Sequence, residues 1–152
     1  MSLDVDVATD RVRSPLARAV IVHLVQGTLR AERVRDALIS VTLVDRRAMA
    51  RLNRKHLGHS GPTDVISFGF TRVTSRDPVV GDIYICPEVA RSNATVHRTS
   101  VRTELARLIV HGVLHVLGHD HPEGEDREAS AMWRRQERLL ARLVPARAGG
   151  RA

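Results

Sequence analysis

His111-Gly-Val-Leu-His115-Val-Leu-Gly118-His119-Asp120-His121 is the stretch that decides how this chain is read. Its spacing is H-x₃-H-x₅-H. On an α-helix, positions i and i+4 lie on one face, one turn apart. His111 and His115 therefore aim their imidazoles at one point. Gly118 then lets the helix stop, because glycine adopts the left-handed conformation that a helix C-terminus often needs. The reversal brings His121 back to the same point. Three neutral imidazoles leave one position of a tetrahedral Zn²⁺ open to water, which is the composition of a catalytic site. Burying three imidazoles without an ion would leave several polar nitrogens to satisfy.

The pattern matches the extended zinc-protease pattern H-E-x-x-H-x-x-G-x-x-H at every position but one. Gly112 stands where a peptidase has its general-base glutamate. A metal without that carboxylate points away from peptide hydrolysis. It can still activate water and polarise a phosphoryl oxygen. A metal-dependent peptidase remains as an alternative.

Working outward, the metal helix reads Leu105 to Leu117, apolar all round, so it is expected to be central and buried. Ser100 is placed to cap it, with Glu104 in the first turn. Upstream, period-2 alternation at Leu3, Val5 and Val7, at Ile39, Val41 and Leu43, at Val65 to Phe70, and at Val80, Ile83 and Ile85 predicts four strands. Ser14-Pro15 is expected to open a helix running to about Leu29, and Asp45 to cap a short one. Pro87 opens another. Downstream, Ala129, Met132, Trp133, Gln136, Leu140 and Leu143 form the inner stripe of a last helix. Its acidic residues Glu123, Glu125 and Asp126 precede it, and Arg134, Arg135, Arg138 and Arg142 come late. Four strands and about five helices without strict alternation give an α+β fold. Residues 1–145 are expected to form a single domain and 146–152 a disordered tail.

The chain has 152 residues, and 43% of them are hydrophobic, enough for a core. Only 3% are aromatic, which argues against a stacking platform for single strands. The net charge of +7 favours a polyanionic partner; nearly all of it is Arg, with Lys55 the only lysine. Cys86 is the only cysteine, so no intrachain disulfide and no Cys-based zinc site forms. No run approaches the roughly 20 apolar residues that span a bilayer. A cytoplasmic protein without membrane contact is expected.

The sequence His111-Gly-x-Leu-His115-x-x-Gly118-x-Asp120-His121 resembles the signature of the YbeY family. Leu52-Asn53, Pro62-Thr63-Asp64-Val65-Ile66-Ser67-Phe68, Gly81 to Cys86 and Glu104-Leu105 extend the likeness over roughly residues 38–121. The resemblance implies a four-stranded mixed sheet among helices, with a zincin-like metal helix. It implies His111, His115 and His121 as ligands of one Zn²⁺. It further implies a zinc-dependent, single-strand-specific endoribonuclease of rRNA maturation at the small-subunit 3′ end and of ribosome quality control. The partners would be single-stranded RNA, rRNA, and the ribosome or its small subunit. A non-catalytic ribosome-assembly factor with a structural metal is the alternative. One departure stands out. The best-known members carry an arginine, tied to RNA cleavage, two residues before the position of His59; here Leu57 stands there, with Lys55, His56 and His59 as neighbouring candidates for the donor. Position 119, often tyrosine, is His119. Thr63 and Asp64 either orient a ligand histidine or end a strand, and Asp120 shapes the turn or orients a ligand.

Overall fold

Alternating apolar and polar residues build four strands: β1 (Leu3–Asp10), β2 (Ala37–Val44), β3 (Val65–Phe70) and β4 (Val79–Ile85). The computed structural model describes residues 1–120 and 130–144. The strands form one mixed sheet in the order β1-β2-β4-β3. β1 and β4 both run parallel to β2, and β3 pairs antiparallel with β4, placing Ile66 opposite Tyr84. Five helices complete the described residues: α1 (Arg18–Ala31), α2 (Arg46–Leu57), α3 (Pro87–His97), α4 (Val101–Val116) and α5 (Ala131–Leu143). The α+β class and the four-stranded mixed sheet expected from the sequence are both present.

Period 2 sends the odd residues of β4 to one face of the sheet and the even ones to the other. Val79, Ile83 and Ile85 join the main core, together with Ile39, Val41 and Leu43 of β2. Tyr84, Ile66 and Phe68 join a smaller cluster on the opposite face, with Ala48, Met49 and Leu52 of α2. α4 occupies the centre of the main core, packed against α1, α3, α5, β3 and β4. Its residues Leu105, Ile109, Val110, Val113 and Leu114 are buried. A fully buried side chain of this size contributes about 1.5–3 kcal/mol, so α4 anchors the domain.

The helix lies directly on the sheet because the contact positions carry no side chain. A Cβ added at Gly69 would stand 2.7 Å from the backbone oxygen of Val116. One at Gly112 would stand 2.8 Å from Cγ2 of Ile83. This close approach fixes where the end of α4, and its histidines, sit above β3 and β4.

Capping follows the sequence at most helix starts. Asp45 accepts a hydrogen bond from the Ala48 N–H (2.8 Å), and Ser100 accepts one from Thr103 (3.0 Å). Pro87 occupies the first turn of α3. The first helix differs from expectation. It starts at Arg18, behind an extended Ala17. Ser14 spends its hydroxyl on Leu16 in a local turn, which tucks the Leu16 side chain into the core. The Ser14 hydroxyl is committed to that turn, and Ala17 stands at the N-cap of the helix with no side-chain cap. In α5, Leu139 takes an inner position that the sequence reading left out, and Trp133 is only half-buried. Pro122, Glu123, Glu125, Asp126, Ala129 and the tail 146–152 lie outside the described residues.

Candidate metal centre

His111 and His115 sit on one face of the last turns of α4, as i, i+4 spacing requires. Their ring centroids are 4.6 Å apart, with the planes inclined at 75°. His111 is 4% exposed and His115 half-buried. The helix stops immediately afterwards. Gly118 takes φ +97°, its N–H donates to the His115 carbonyl (2.9 Å), and the His119 N–H donates to that of Leu114 (3.0 Å). The chain therefore turns back where the sequence placed the turn. His121 lies outside the described residues. Among the described residues no third His, Cys, Asp or Glu completes a metal-binding group with the pair.

The His111 ring is held from α5. Its Nδ1–H donates to Oε1 of Gln136 at 2.6 Å. Gln136 is fully buried, and its Nε2 donates to Glu137 (3.0 Å). A carboxylate only accepts, so the amide nitrogen must face Glu137 and the amide oxygen must face His111. Arg107 grips both oxygens of Glu137, at 2.9 and 3.1 Å, and also reaches the buried Glu104 at 3.2 Å. His97 closes the chain, its Nδ1 3.2 Å from the same Glu104 oxygen. Burial alone would lower the Arg107 pKa, but the two carboxylates outweigh it and hold the guanidinium above its ordinary value. In a neutral imidazole with Nδ1 protonated, Nε2 carries the lone pair. That is the tautomer a metal-ligating histidine needs, and the donor chemistry of the pair fits Zn²⁺. The sequence offered one signal for this arrangement: Gln136 is a lone amide in an apolar stripe, one turn from Met132 and from Leu140.

A second cluster holds the turn after α4. Glu32, at the end of α1, accepts from Nε2 of His119 (2.6 Å) and from Nη2 of Arg135 (2.7 Å). His119 is thus engaged with Glu32. Nothing in the sequence pairs residues 87 positions apart. Burial pushes the Glu32 pKa up, but the hydrogen bonds and charges of Arg135 and His119 outweigh this and hold it below its ordinary 4.5. A depressed carboxyl pKa stabilises the fold above the unfolded value, and that contribution is lost as pH falls through the folded value. Glu32→Gln is expected to flatten the loss of stability below about pH 4.5 in a pH series of thermal melts. An unchanged acid limb would show that the cluster adds nothing.

Other sequence candidates take structural roles. Asp64 accepts from the Val65 N–H (2.8 Å) and from Nδ2 of Asn93 (3.0 Å), tying the start of β3 to α3. This favours the strand-ending reading of Asp64. The His56 ring rests edge-on against Phe68, 4.8 Å between centroids, on the sheet face that α2 covers. Leu57 and His59 are exposed around the end of α2. Cys86 is buried, which pushes its thiol pKa up and leaves it protonated. Of the α5 arginines, Arg135 belongs to the Glu32 cluster, while Arg138 and Arg142 are exposed. No helix among the described residues is long and apolar enough to cross a membrane.

The sequence pattern of the family described as Endoribonuclease YbeY matches residues 4–144. A relative named Endoribonuclease YbeY from Bacillus licheniformis is 38% identical over 153 residues, covering 93% of this chain and 96% of the relative. One from Salinispora tropica is 44% identical over 117 residues, 69% of this chain and 73% of the relative. One from Frankia alni is 42% identical over 116 residues, 69% of this chain. That match spans 62% of the Frankia alni relative, and the corresponding match spans 56% of a Frankia casuarinae one, so the chain covers under two thirds of these longer relatives. A solution structure from Thermotoga maritima shares the fold, with a TM-score of 0.61, 23% identity, and coverage of 91% of this chain and 88% of the other.

Proposed function

The chain belongs to the YbeY endoribonuclease family, and on that premise we propose that it is a zinc-dependent endoribonuclease of single-stranded RNA. Its role would be rRNA maturation at the small-subunit 3′ end and ribosome quality control, in the cytoplasm. The single observation that carries the proposal is the pair of adjacent imidazoles at the buried end of α4, one of them fixed through Nδ1. His111 and His115 would hold the ion, with His121 as third ligand from the spacing of the motif. When bound, Zn²⁺ lowers the pKa of a coordinated water to about 7 and polarises a phosphoryl oxygen. Gln136 orients His111, and the turn at Gly118 redirects the chain towards His121. Surplus positive charge, +7 over the whole chain, attracts the RNA backbone through salt-sensitive contacts.

The test is cleavage of a single-stranded RNA by purified protein, with and without chelator, and by His115→Ala. Cleavage is expected to stop in both treatments and to return when zinc is restored to the parent protein. Activity that persists in the alanine variant would place the cutting elsewhere.

One observation favours a second reading, a ribosome-assembly factor that does not cut. Leu57, 48% exposed, stands where the family resemblance has an arginine tied to cleavage. That reading predicts retention of preribosomal RNA by protein that leaves the RNA intact. Peptidase chemistry is disfavoured on packing grounds, since Gly112 abuts Ile83 and leaves no room for a base at that position.

A further inference from the structure

We infer that Gln136 is a positioning residue that selects the tautomer of His111 and thereby sets the protein's zinc affinity. The inference rests on the metal reading above. It starts from a buried amide whose two ends are both committed. Its oxygen receives the His111 Nδ1–H at 2.6 Å, and its nitrogen gives a hydrogen to Glu137 at 3.0 Å. The Arg107 fork fixes Glu137 in turn, and Glu104, 2% exposed, fixes Arg107 from α4 itself.

The bracket therefore runs from α4 to α5 and back to α4. Arg107 and His111 are one turn apart on α4, and Gln136 and Glu137 are neighbours on α5. The four side chains form a hydrogen-bonded chain, His111 to Gln136 to Glu137 to Arg107, whose two ends both sit on α4. A carboxylate next to Gln136 forbids the flipped amide, because that flip would set two acceptors face to face. An unflipped amide offers His111 only an acceptor, and an acceptor holds the proton on Nδ1. Nε2 is left with its lone pair on the side of the ring away from α5. Partners of this kind on a ligating histidine typically change metal affinity by 10- to 100-fold.

A purely structural role for Gln136 predicts something different. It would join the two helices, and its loss would lower the melting temperature without moving a proton on His111. The two accounts separate on the imidazole itself, measured with no metal present.

The experiment compares the parent protein with Gln136→Leu and Gln136→Glu. Leucine keeps most of the volume and removes the acceptor; glutamate keeps an oxygen acceptor. Zinc affinity is read by competition with a chromogenic chelator, and the His111 tautomer by ¹⁵N imidazole spectra of the zinc-free protein. Gln136→Leu is expected to weaken zinc binding about 10- to 100-fold and to shift His111 towards a mixture of tautomers. Gln136→Glu, made together with Glu137→Gln so that two carboxylates do not meet, is expected to stay within about threefold of the parent, as a carboxylate serves the same purpose in many zinc sites. Should the leucine variant fail to fold, Glu137→Ala carries the test, since its side chain is one-third exposed and its loss frees the amide to flip. It is expected to weaken binding several-fold and to broaden the His111 signals. Parent-like zinc affinity and an unshifted tautomer in the leucine or alanine variant overturn the inference. A parent protein that binds no zinc while His111 stays Nδ1-protonated overturns the metal reading and the affinity claim together, leaving the tautomer assignment standing.

Discussion

His111→Ala and His115→Ala are expected to abolish stoichiometric zinc retention alike, yet to differ in what they do to the zinc-free fold. A site built from three imidazoles that loses one keeps two, too few for a tight zinc site of this kind. RNA cleavage is accordingly expected to fall at least about 100-fold in both variants. Stability separates them. His111 is buried and its Nδ1–H satisfies the fully buried Gln136. Removing the ring strands Oε1 of Gln136, which costs about 1–3 kcal/mol, before any cavity term. For a chain of this size that corresponds to a melting temperature lower by about 2–4 °C per kcal/mol. His115 is half-buried at the end of the helix, so its truncation should cost the zinc-free protein less than about 1 kcal/mol. Thermal melts in chelator, paired with elemental analysis of the purified variants, check both halves. A His115→Ala protein that still carries one zinc per chain would contradict the assignment of its ring as a ligand.

How much of this was legible in the sequence depends on how far apart the interacting residues lie. Short-range signals carried the architecture. Period 2 marked the strands, Asp45 and Ser100 marked the helix starts, and Gly118 marked the reversal, because each acts within a turn of itself. The i, i+4 histidines were legible for the same reason. Ser14-Pro15 misled because a local turn competes with capping for the same hydroxyl, and burial of Leu16 decided between them. Contacts between distant elements left almost no trace. Glu104 reads as a first-turn acid that suits the helix dipole, but it is a buried partner of Arg107 and His97. Glu32 carries no signal of its own in the sequence, and it is what ties His119 and Arg135 together. Gly112 was legible as a missing glutamate; that a side chain has nowhere to go there only the packing of α4 on β4 reveals.

That packing makes Gly112→Glu the most damaging single change expected here, although it restores the zinc-peptidase pattern in full. A Cβ at position 112 meets Cγ2 of Ile83 at 2.8 Å, with two further Ile83 carbons within 3.4 Å. Ile83 is completely buried in the centre of the sheet and cannot withdraw without disturbing β4. Overpacking a filled core costs about 1–3 kcal/mol on its own. The carboxylate adds more, because burying a charge among aliphatic side chains carries a desolvation penalty of several kcal/mol unless it is paired or protonated. Gly112→Ala isolates the first cost and should lower stability by about 1–3 kcal/mol with the fold retained. Gly112→Glu should lose about twice that or more, falling short of a stable fold or melting about 4–24 °C below the parent at about 2–4 °C per kcal/mol. No gain of peptide hydrolysis is expected, since α4 would have to lift off the sheet to present the new carboxylate, carrying His111 and His115 with it. Melting curves of the two variants, together with a peptide-library assay of any soluble Gly112→Glu protein, test this. A glutamate variant as stable as the parent would mean that α4 and β4 are not in contact at Ile83.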